Sequence, residues 1–176
     1  MLEVPLDTGD LAVNALVANV RGTIVATTSR CTHYGMPLAK GVLTADGRVY
    51  CPFHGACFRM ATGDIEDAPG LDPLKKIPVE IDGDEVYLNV DIDALKQPTD
   101  SVRKEPAKDQ PHTVFVGGGP VALNAVQEMR RRGYKGAITV LTAEPYPTID
   151  RPKLSKGQAP QLDQLLIRDE KYWRER

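Results

Sequence analysis

Along the first 90 residues, short apolar runs alternate with polar positions and are separated by glycine-containing turns. The runs LAVNALVANV and TIVATT meet at Gly22, and the segments GVLTADGRVYC and KKIPVEIDGDEVYLNV each contain an Asp-Gly pair, at Asp46-Gly47 and Asp82-Gly83. Asp-Gly between such runs is a strong hairpin signal. The pattern predicts three β-hairpins in a small all-β unit with antiparallel sheets, and the alternation in EVYLNV predicts a half-buried strand.

A different pattern begins at HTVFVGGGPVALNAVQEMRRRGYKGAITVL, which predicts a strand, a glycine turn, a helix, a turn and a second strand. We expect the helix from about Pro120 to Arg132, because proline suits the first helical position and Gly133 suits the C-terminal cap. Its apolar stripe is formed by Ala122, Ala125, Val126 and Met129. The β–α–β order predicts a parallel strand pair joined by a right-handed crossover.

A charged, proline-containing segment separates the two patterns. Such composition is typical of a linker. We therefore expect an all-β domain at residues 1–92, a linker at 93–111 and an α/β piece at 112–176. The stretch DIDAL, at the first boundary, predicts a last turn packed on the β unit. At the end of the chain, QLDQLLIRDEKYWRER predicts a helix or a loop that leads into one.

Composition narrows the class of protein. With 41% hydrophobic and 26% charged residues, the chain of 176 residues is of ordinary globular type. No apolar run approaches the roughly 18 residues that a membrane span needs, and the start MLEVPLDTGD lacks the basic and apolar regions of a secretory signal. Three cysteines are an odd number and too few for a disulfide framework. We expect a cytoplasmic protein, with a mitochondrial location as the alternative.

Charge is unevenly distributed along the chain. Residues 1–90 carry 7 Lys and Arg against 12 Asp and Glu, a net charge of −5, whereas residues 91–176 carry 15 against 12, a net charge of +3. This complementarity favours docking of the two parts over nucleic-acid binding. Two independently solvated surfaces are the alternative explanation.

Four of the six cysteine and histidine residues lie in two short segments, Cys31-Thr-His33 and Cys51-Pro-Phe-His54. Two thiolates and two imidazoles can bind zinc tetrahedrally, but zinc fingers space cysteine with cysteine and histidine with histidine. One cysteine and one histidine in each segment suit a two-iron cluster, in which one iron takes both cysteines and the other both histidines. The remaining cysteine, Cys57, is expected to be a small buried residue.

The sequences CTHYG and CPFHG resemble the two ligand boxes of a Rieske domain, and the segment that follows, up to about residue 92, resembles the part that closes such domains. This resemblance implies an all-β Rieske fold with a 2Fe–2S cluster. Cys31 and Cys51 would bind the buried iron, and His33 and His54 the iron nearer the surface.

Neighbouring residues set expectations for the reduction potential. High-potential Rieske proteins of respiratory complexes carry an extra cysteine in each box, but Met36 and Phe53 stand here, so no disulfide can form. Ala56 occupies the place of a serine that commonly follows the second box, so no hydroxyl can bond a bridging sulfur. Fewer donors stabilise the reduced cluster less, and we expect a potential at the low end of the Rieske range, about −150 mV.

The segment VFVGGGPVALNAV places Gly117, Gly119 and Ala122 between a strand and a helix. In a dinucleotide site the first glycine makes the tight turn, the second lets pyrophosphate approach, and a small third residue allows close helix packing. The helix N-terminus favours phosphate charge. Glu144, further along the chain, is the candidate for bonding a ribose hydroxyl. A tight strand-to-helix turn that binds no nucleotide is the alternative.

The segment DRPKLSK resembles a box of flavin-dependent ferredoxin reductases and of apoptosis-inducing-factor-like proteins. This resemblance implies that Arg151 and Lys156 face FAD. A Rieske domain followed by this box resembles the Rieske-containing apoptosis-inducing-factor-like oxidoreductases. The chain corresponds only to the start of that architecture, so we expect an incomplete Rossmann-like FAD-binding piece. We also expect exposed sheet edges and a missing C-terminal flavoprotein part.

The family resemblance implies electron transfer through a Rieske 2Fe–2S cluster as part of an FAD-dependent NAD(P)H oxidoreductase. NAD(P)H would reduce FAD, and FAD would pass electrons to the cluster or to another acceptor, either a redox partner protein or a small molecule. The chain lacks the NAD(P)H-binding part, so enzymatic activity is expected of the full-length protein. The alternative is a stand-alone Rieske-type ferredoxin that carries electrons without catalysis.

Overall fold

The computed structural model describes residues 1–7, 13–97, 106–107, 109–156 and 161–175. The chain divides into two compact units, Met1–Thr99 and Asp100–Arg176. Nearly half of the predicted linker at residues 93–111 lies outside the described residues, which omit 98–105 and 108.

Antiparallel β-sheets dominate the first unit. One four-stranded sheet contains, in spatial order, β1 (Leu2–Pro5), β2 (Asn14–Val20), β3 (Thr23–Thr28) and β8 (Lys76–Ile77). A second contains β4 (Val42–Leu43), β5 (Arg48–Tyr50), β6 (Cys57–Arg59) and β7 (Ile65–Asp67). Strands β9 (Val79–Asp82) and β10 (Glu85–Leu88) pair separately as a two-stranded hairpin.

All three predicted hairpins are confirmed as β2–β3, β4–β5 and β9–β10. Arg21 and Gly22 both have positive φ, of 52° and 90°, which matches the twist of tight hairpin turns. Gly47 and Gly83 are likewise left-handed, with φ of 84° and 58°. These turns were predictable because their chemistry is local to a few residues.

Strand β10 is more exposed than its alternating pattern predicted. Val86 and Tyr87 are both exposed, near the turn. Only towards the end of the segment do Leu88 and Val90 pack against a small apolar cluster of the first sheet. The half-buried strand is therefore confirmed at its C-terminal end alone.

Residues from both sheets build the main core of the first unit. Its fully buried side chains include Leu16 of β2, Val49 of β5 and Phe58 of β6. Cys31 and Cys51 belong to this same cluster. The two predicted ligand cysteines are thus fixed by the core rather than by a mobile surface loop.

Helix α1 (Ile92–Lys96) confirms the turn predicted from DIDAL. Asp91 caps its N-terminus by accepting a hydrogen bond from the Ala94 N–H. At its C-terminus, the Lys75 ammonium donates to the carbonyl oxygens of Ala94 and Leu95 at 2.8 Å each. Lys75 directly precedes β8, so the helix is tied to the β unit as expected.

A carboxylate ties β1 to the strands beside it. Glu3 Oε1 accepts hydrogen bonds from Asn14 Nδ2 at 2.9 Å and from Ser29 Oγ at 2.8 Å, and it lies 3.6 Å from an Arg30 guanidinium nitrogen. The bond from Asn14 is the main reason that the pKa of Glu3 lies below its usual range, and Ser29 and Arg30 add to it. Because Ser29 lies two residues before Cys31, its hydrogen bond to Glu3 also fixes the chain that leads into the first ligand box.

Replacing Glu3 by Gln should make stability less dependent on pH. A depressed pKa in the folded state stabilises the protein above the unfolded pKa of about 4.3, and this stabilisation is lost as pH falls through the folded pKa. We expect the Glu3→Gln variant to be about 1 kcal/mol less stable than the parent at pH 7, and the difference to disappear as pH falls through the lowered pKa of Glu3 in the folded protein. Urea unfolding across this range measures it, with the exposed Glu80→Gln variant as control. A difference that stays constant with pH would contradict the assignment.

The second unit contains a strand, a helix and a strand in the predicted order. Strands β11 (Thr113–Val116) and β12 (Ile138–Leu141) pair in parallel, and helix α2 (Pro120–Arg131) connects them. Pro120 is at the first position, and Gly133 has a φ of 82° after the helix. The β–α–β prediction is confirmed, whereas assignment to a Rossmann-like fold needs more strands and stays a prediction.

The buried face of helix α2 differs from the predicted stripe. Ala122 and Val126 are buried as predicted, but Ala125 and Met129 are only half-buried. The structure buries Ala122, Leu123, Val126, Gln127 and Arg130. Sequence periodicity missed this face because two of its members are polar. Arg130 is accommodated by donating to the carbonyl oxygens of Tyr134 and Gly136 at 2.9 Å.

One face of the parallel pair is apolar and exposed. Val114, Val116 and Leu141 all lie exposed, and the register pairs Val116 with Leu141. Parallel strands are normally covered on both faces. Within the described residues this sheet has two strands.

The C-terminal segment forms two short helices instead of one. Helix α3 (Leu162–Leu165) and helix α4 (Glu170–Glu175) follow a 3₁₀ turn at Arg151–Ser155. Main-chain bonds from Asp150 N–H to Leu165 O, at 2.7 Å, and from Ile167 N–H to Thr148 O, at 3.0 Å, hold this segment beside residues 148–150. Across the described parts of the chain, no helix combines the length and apolar character that a membrane crossing requires.

Candidate metal centre and candidate nucleotide site

The two predicted ligand boxes form loops with the same backbone frame. In the first, the Cys31 N–H donates to Met36 O at 2.9 Å and the Gly35 N–H donates to Cys31 O at 2.8 Å. In the second, the Cys51 N–H donates to Ala56 O at 2.8 Å. Each cysteine thus bonds the residue five positions later, although the histidines follow at different distances.

Glycine closes each loop for a conformational reason. The Gly55 N–H donates to Cys51 O at 3.1 Å, which repeats the Gly35 contact of the first box. Gly35 and Gly55 have φ of 72° and 75°, in the left-handed region. A Cβ atom at either position would meet no atom within 4 Å. The backbone conformation, and not lack of space, therefore favours glycine here.

The thiols of Cys31 and Cys51 form a buried pair. Burial raises the pKa of the Cys31 thiol, and the neighbouring Cys51 thiol raises it further. The backbone N–H groups of His33 and Tyr34 lower that pKa, because they donate hydrogen bonds to the sulfur. These amides favour thiolate, the form that binds metal ions. The pair is therefore suited to hold one positively charged centre.

The imidazoles of His33 and His54 form a second pair, nearer the surface. Their Nδ1 atoms lie 3.1 Å apart, and the ring centroids are 4.8 Å apart. Tyr34 stacks on His33 with centroids 3.8 Å apart, and Phe53 packs beside His54 at 4.3 Å. His54 and Phe53 are exposed. Aromatic contacts thus orient both rings so that the same nitrogen of each faces the other.

The ligands are arranged as two pairs. Nowhere in the described part of the chain do three His, Cys, Asp or Glu side chains gather around one point. A two-iron Rieske cluster requires two cysteines on one iron and two histidines on the other. A buried thiol pair and an outer imidazole pair fit this donor set.

A third loop is fastened to the first box through Thr32. Thr32 Oγ1 donates to Asp72 O at 2.7 Å and accepts from the N–H groups of Leu71 and Asp72 at 3.1 and 3.2 Å. This uses the full bonding capacity of a hydroxyl. Next to it, a Cβ at Gly70 would lie 2.9 Å from the Phe58 ring. The sequence did not indicate this third loop, since its contacts join residues about 40 positions apart.

Replacing Thr32 by Val should loosen the third loop. Valine has nearly the same shape but cannot form any of the three bonds, so we expect a loss of about 1–3 kcal/mol in stability. Hydrogen exchange of the Leu71 and Asp72 amides should become faster. The exposed Thr23→Val variant is the control, and equal exchange rates in parent and Thr32→Val proteins would refute the role given to the hydroxyl.

Cys57 is a small buried residue, as predicted, and His112 belongs to the second unit. Cys57 is fully buried, and burial raises the pKa of its thiol, which also bonds Tyr50 on the neighbouring strand. His112 Nε2 lies 2.9 Å from Thr139 Oγ1, a contact between the two strands of the second unit. Both residues have structural roles.

The glycine turn of the second unit has the geometry that its sequence predicted. Gly117 has a φ of 110°, and Gly119, at the N-cap of α2, has open space around its Cα. Ala122 is buried under the helix. Gly118 was not among the predicted residues, yet a Cβ at this position would lie 2.8 Å from Thr142 Cβ. The run of three glycines was the available signal.

Two of the predicted FAD residues contact each other. The Arg151 guanidinium donates to Glu144 Oε1 at 2.7 Å. Thr148 Oγ1 donates to Gly118 O at 2.7 Å, which fastens this loop to the glycine turn. Lys156 is exposed at the end of the 3₁₀ turn.

A cavity of about 520 Å³ lies within the second unit. Its apolar lining includes Val126, Ile138 and Val140, and its polar lining includes Thr142 and Glu144. The remaining lining residues are Gly118, Pro145, Tyr146, Pro147, Thr148, Glu170, Trp173 and Arg174. Volume and lining are typical of a small-molecule site.

Comparison with known proteins agrees with the metal centre. Residues 5–78 match the family described as Rieske [2Fe-2S] domain. The ferredoxin subunit of 3-phenylpropionate/cinnamic acid dioxygenase from Escherichia coli (strain K12) is 35% identical over 72 residues, 41% of this chain and 68% of that protein. The chain belongs to the Rieske family. Its first unit is a Rieske-type electron-transfer domain.

Similarity extends beyond the Rieske domain. Apoptosis-inducing factor 3 of Homo sapiens is 38% identical over 181 residues, which cover 99% of this chain and 29% of that protein. The predicted likeness to Rieske-containing apoptosis-inducing-factor-like proteins is confirmed. Among solved structures, the Sphingomonas yanoikuyae B1 ferredoxin is 31% identical, with a TM-score of 0.44, over 51% of this chain and 85% of the ferredoxin.

Proposed function

We propose that the first unit transfers single electrons through a 2Fe–2S cluster held by Cys31, Cys51, His33 and His54. The observation that carries the proposal is the pairing of buried thiols and outer imidazoles by two loops of identical frame. When bound, such a cluster supplies a one-electron centre whose potential depends on ligands, hydrogen bonds and exposure.

The protein's own residues set the environment of this centre. The core around Cys31 and Cys51 excludes water from the inner pair. Backbone N–H groups of His33 and Tyr34 direct hydrogen bonds to the Cys31 sulfur. The exposed His54 provides the outer end, where a redox partner protein or a small electron acceptor can approach.

We propose a reduction potential near the low end of the Rieske range, about −150 mV. Met36 and Phe53 leave no cysteines for a disulfide between the boxes, and Ala56 has no hydroxyl to donate to a sulfur. Each donor removed from the surroundings of the sulfurs lowers the potential. A redox titration that gives a clearly positive midpoint would overturn this part.

We further propose that the second unit is part of an FAD site in a larger NAD(P)H oxidoreductase. The turn at Gly117 and Gly119, the N-terminus of helix α2 and the small Ala122 suit a dinucleotide phosphate. Glu144 suits a ribose hydroxyl, Arg151 pairs with it, and Lys156 lies close by in sequence, facing the flavin in the assembled site. The residue types at these positions fit a dinucleotide. The chain spans about 29% of apoptosis-inducing factor 3, so the rest of such a site would lie in the remainder of the larger protein.

NAD(P)H binding is assigned to the rest of that larger protein, as is hydride transfer to FAD. We propose the cytoplasm as the location, with the mitochondrion as the alternative. The whole protein would then move electrons from NAD(P)H to FAD and onward to the Rieske centre or to another acceptor.

A second candidate function is that of a ferredoxin-like carrier without catalysis. It is supported by the 35% identity to a dioxygenase ferredoxin subunit, of which this chain covers 68%. In this case the second unit would bind no flavin, and its glycine turn would be structural.

Absorption spectra of the anaerobically purified chain distinguish the two candidates. The first predicts iron–sulfur absorption together with binding of added FAD, which equilibrium dialysis measures. Iron–sulfur absorption without FAD binding would favour the carrier. Absence of iron–sulfur absorption after cluster reconstitution would overturn both.

A further inference from the structure

We propose that helix α4 belongs to the nucleotide site of the second unit, and that the indole of Trp173 packs against the adenine of a bound adenine dinucleotide. The inference rests on the proposed FAD site and adds a residue and a segment to it. It was not indicated by any motif, since Trp173 lies 54 positions after Gly119.

The cavity links α4 to the residues of the glycine motif. Trp173 of α4 and Gly118 of the turn before α2 both line it, together with Glu144 after β12. The segment that leads to α4 is held in place by the main-chain bonds between residues 148–150 and 165–167. Asp169 then caps α4 by accepting the Tyr172 N–H at 2.7 Å. The hydrogen bonds of the segment before Trp173 therefore fix the start of α4.

Trp173 retains an unused hydrogen-bond donor. Its Nε1 atom is buried but finds no acceptor among the residues that the structure describes. A buried indole N–H normally has a partner. Because this nitrogen has almost no exposed surface, the case for a nucleotide rests on Trp173 as a lining residue of the cavity and not on its N–H.

The chemistry of the walls selects a flat ring attached to a ribose. Val126, Ile138 and Val140 give an apolar lining, and Trp173 adds an aromatic wall on which a nucleobase can stack. Glu144 in the polar lining is an acceptor for ribose hydroxyls. Arg174 and Glu170 also line the cavity and pair with each other at 2.9 Å, so their charges compensate each other. Because the ring next to Glu144 must belong to the same nucleoside, adenine is the ring assigned to the cavity.

Trp173 is the sole tryptophan of the chain, so its fluorescence reports on this cavity directly. The experiment titrates the reconstituted chain with FAD, ADP and FMN while following Trp173 emission. Equilibrium dialysis measures FAD binding independently. We expect FAD and ADP to change the emission and FMN to leave it unchanged. A response to FMN without one to ADP would overturn the assignment of adenine.

Replacement of Trp173 tests its contribution. Loss of base stacking should weaken FAD binding about tenfold in the Trp173→Ala variant, and Trp173→Phe should retain most of the affinity. Tyr172→Ala is the matched control, because Tyr172 is adjacent in α4 but does not line the cavity. Circular dichroism checks that each variant is folded. Equal weakening by Trp173→Ala and Tyr172→Ala, or retained affinity in Trp173→Phe and Trp173→Ala alike, would overturn the role of Trp173.

The two proposals fail in different ways. If dialysis shows FAD binding while Trp173 emission and the Trp173→Ala affinity are unchanged, the inference is wrong and the FAD site stands. If the parent chain binds neither FAD nor ADP, the FAD assignment itself is wrong and the inference falls with it.

Discussion

Replacing Cys51 by Ala should remove iron and acid-labile sulfide from the purified chain, whereas replacing Cys57 by Ala should leave both in place. The two cysteines are alike in side-chain size and in burial. They lie six positions apart, and their residues are 4% and 0% exposed. Both substitutions remove a buried sulfur of the same size, so the cost to the core should be comparable.

The expected difference follows from the pairing at the site. The Cys51 side chain lies next to that of Cys31. The Cys51→Ala substitution would remove one of the two protein ligands that are assigned to the inner iron. Cys57 instead bonds Tyr50 on the neighbouring strand. Iron and sulfide should fall to background in Cys51→Ala and remain at the parental level in Cys57→Ala. Parental amounts of iron and sulfide in Cys51→Ala would show that Cys51 is not a ligand.

Replacing Gly63 by Ala should destabilise the first unit far more than replacing Gly83. Both glycines are left-handed, with φ of 84° and 58°, so alanine at either position costs about 1–2 kcal/mol in backbone conformation. A Cβ at Gly83 would meet nothing within 4 Å, whereas one at Gly63 would collide with the Leu74 carbonyl oxygen. Displacing that backbone adds about 1–3 kcal/mol.

A shift of Leu74 caused by a Cβ at Gly63 would also disturb the core around the metal centre. The Leu74 N–H donates to Gly63 O at 2.8 Å, and the Leu74 side chain packs in the same core cluster as Cys31 and Cys51. Hydrogen exchange of the β6 and β7 amides in both variants measures the difference. Similar exchange in Gly63→Ala and Gly83→Ala would mean that the space around Gly63 adapts at little cost.

The sequence predicted those features whose causes are local. The Asp-Gly hairpins, the strand–helix–strand order and the cap at Gly133 each depend on a few adjacent residues. The four metal-ligand candidates were also recognisable, because one cysteine and one histidine in each box form an unusual pattern. The structure adds that the boxes share one backbone frame, which the unequal spacing of His33 and His54 concealed.

Features that depend on distant contacts were not predictable. In the sequence, Thr32 is simply the residue between two ligand candidates. Its hydrogen bonds to Leu71 and Asp72, which join the first ligand box to a third loop, are visible only in the structure. The buried face of α2 differs from the apolar stripe predicted from the sequence, because Gln127 and Arg130 are buried although they are polar. Neither local propensity nor periodicity contains the information on what packs against a helix.

The most direct test of the Rieske assignment is elemental analysis of the purified chain for iron, acid-labile sulfide and zinc. Two pairs of ligands on a 2Fe–2S cluster predict equal amounts of iron and sulfide, two of each per chain, without stoichiometric zinc. Zinc in place of iron, or iron without sulfide, would contradict the proposed metal centre.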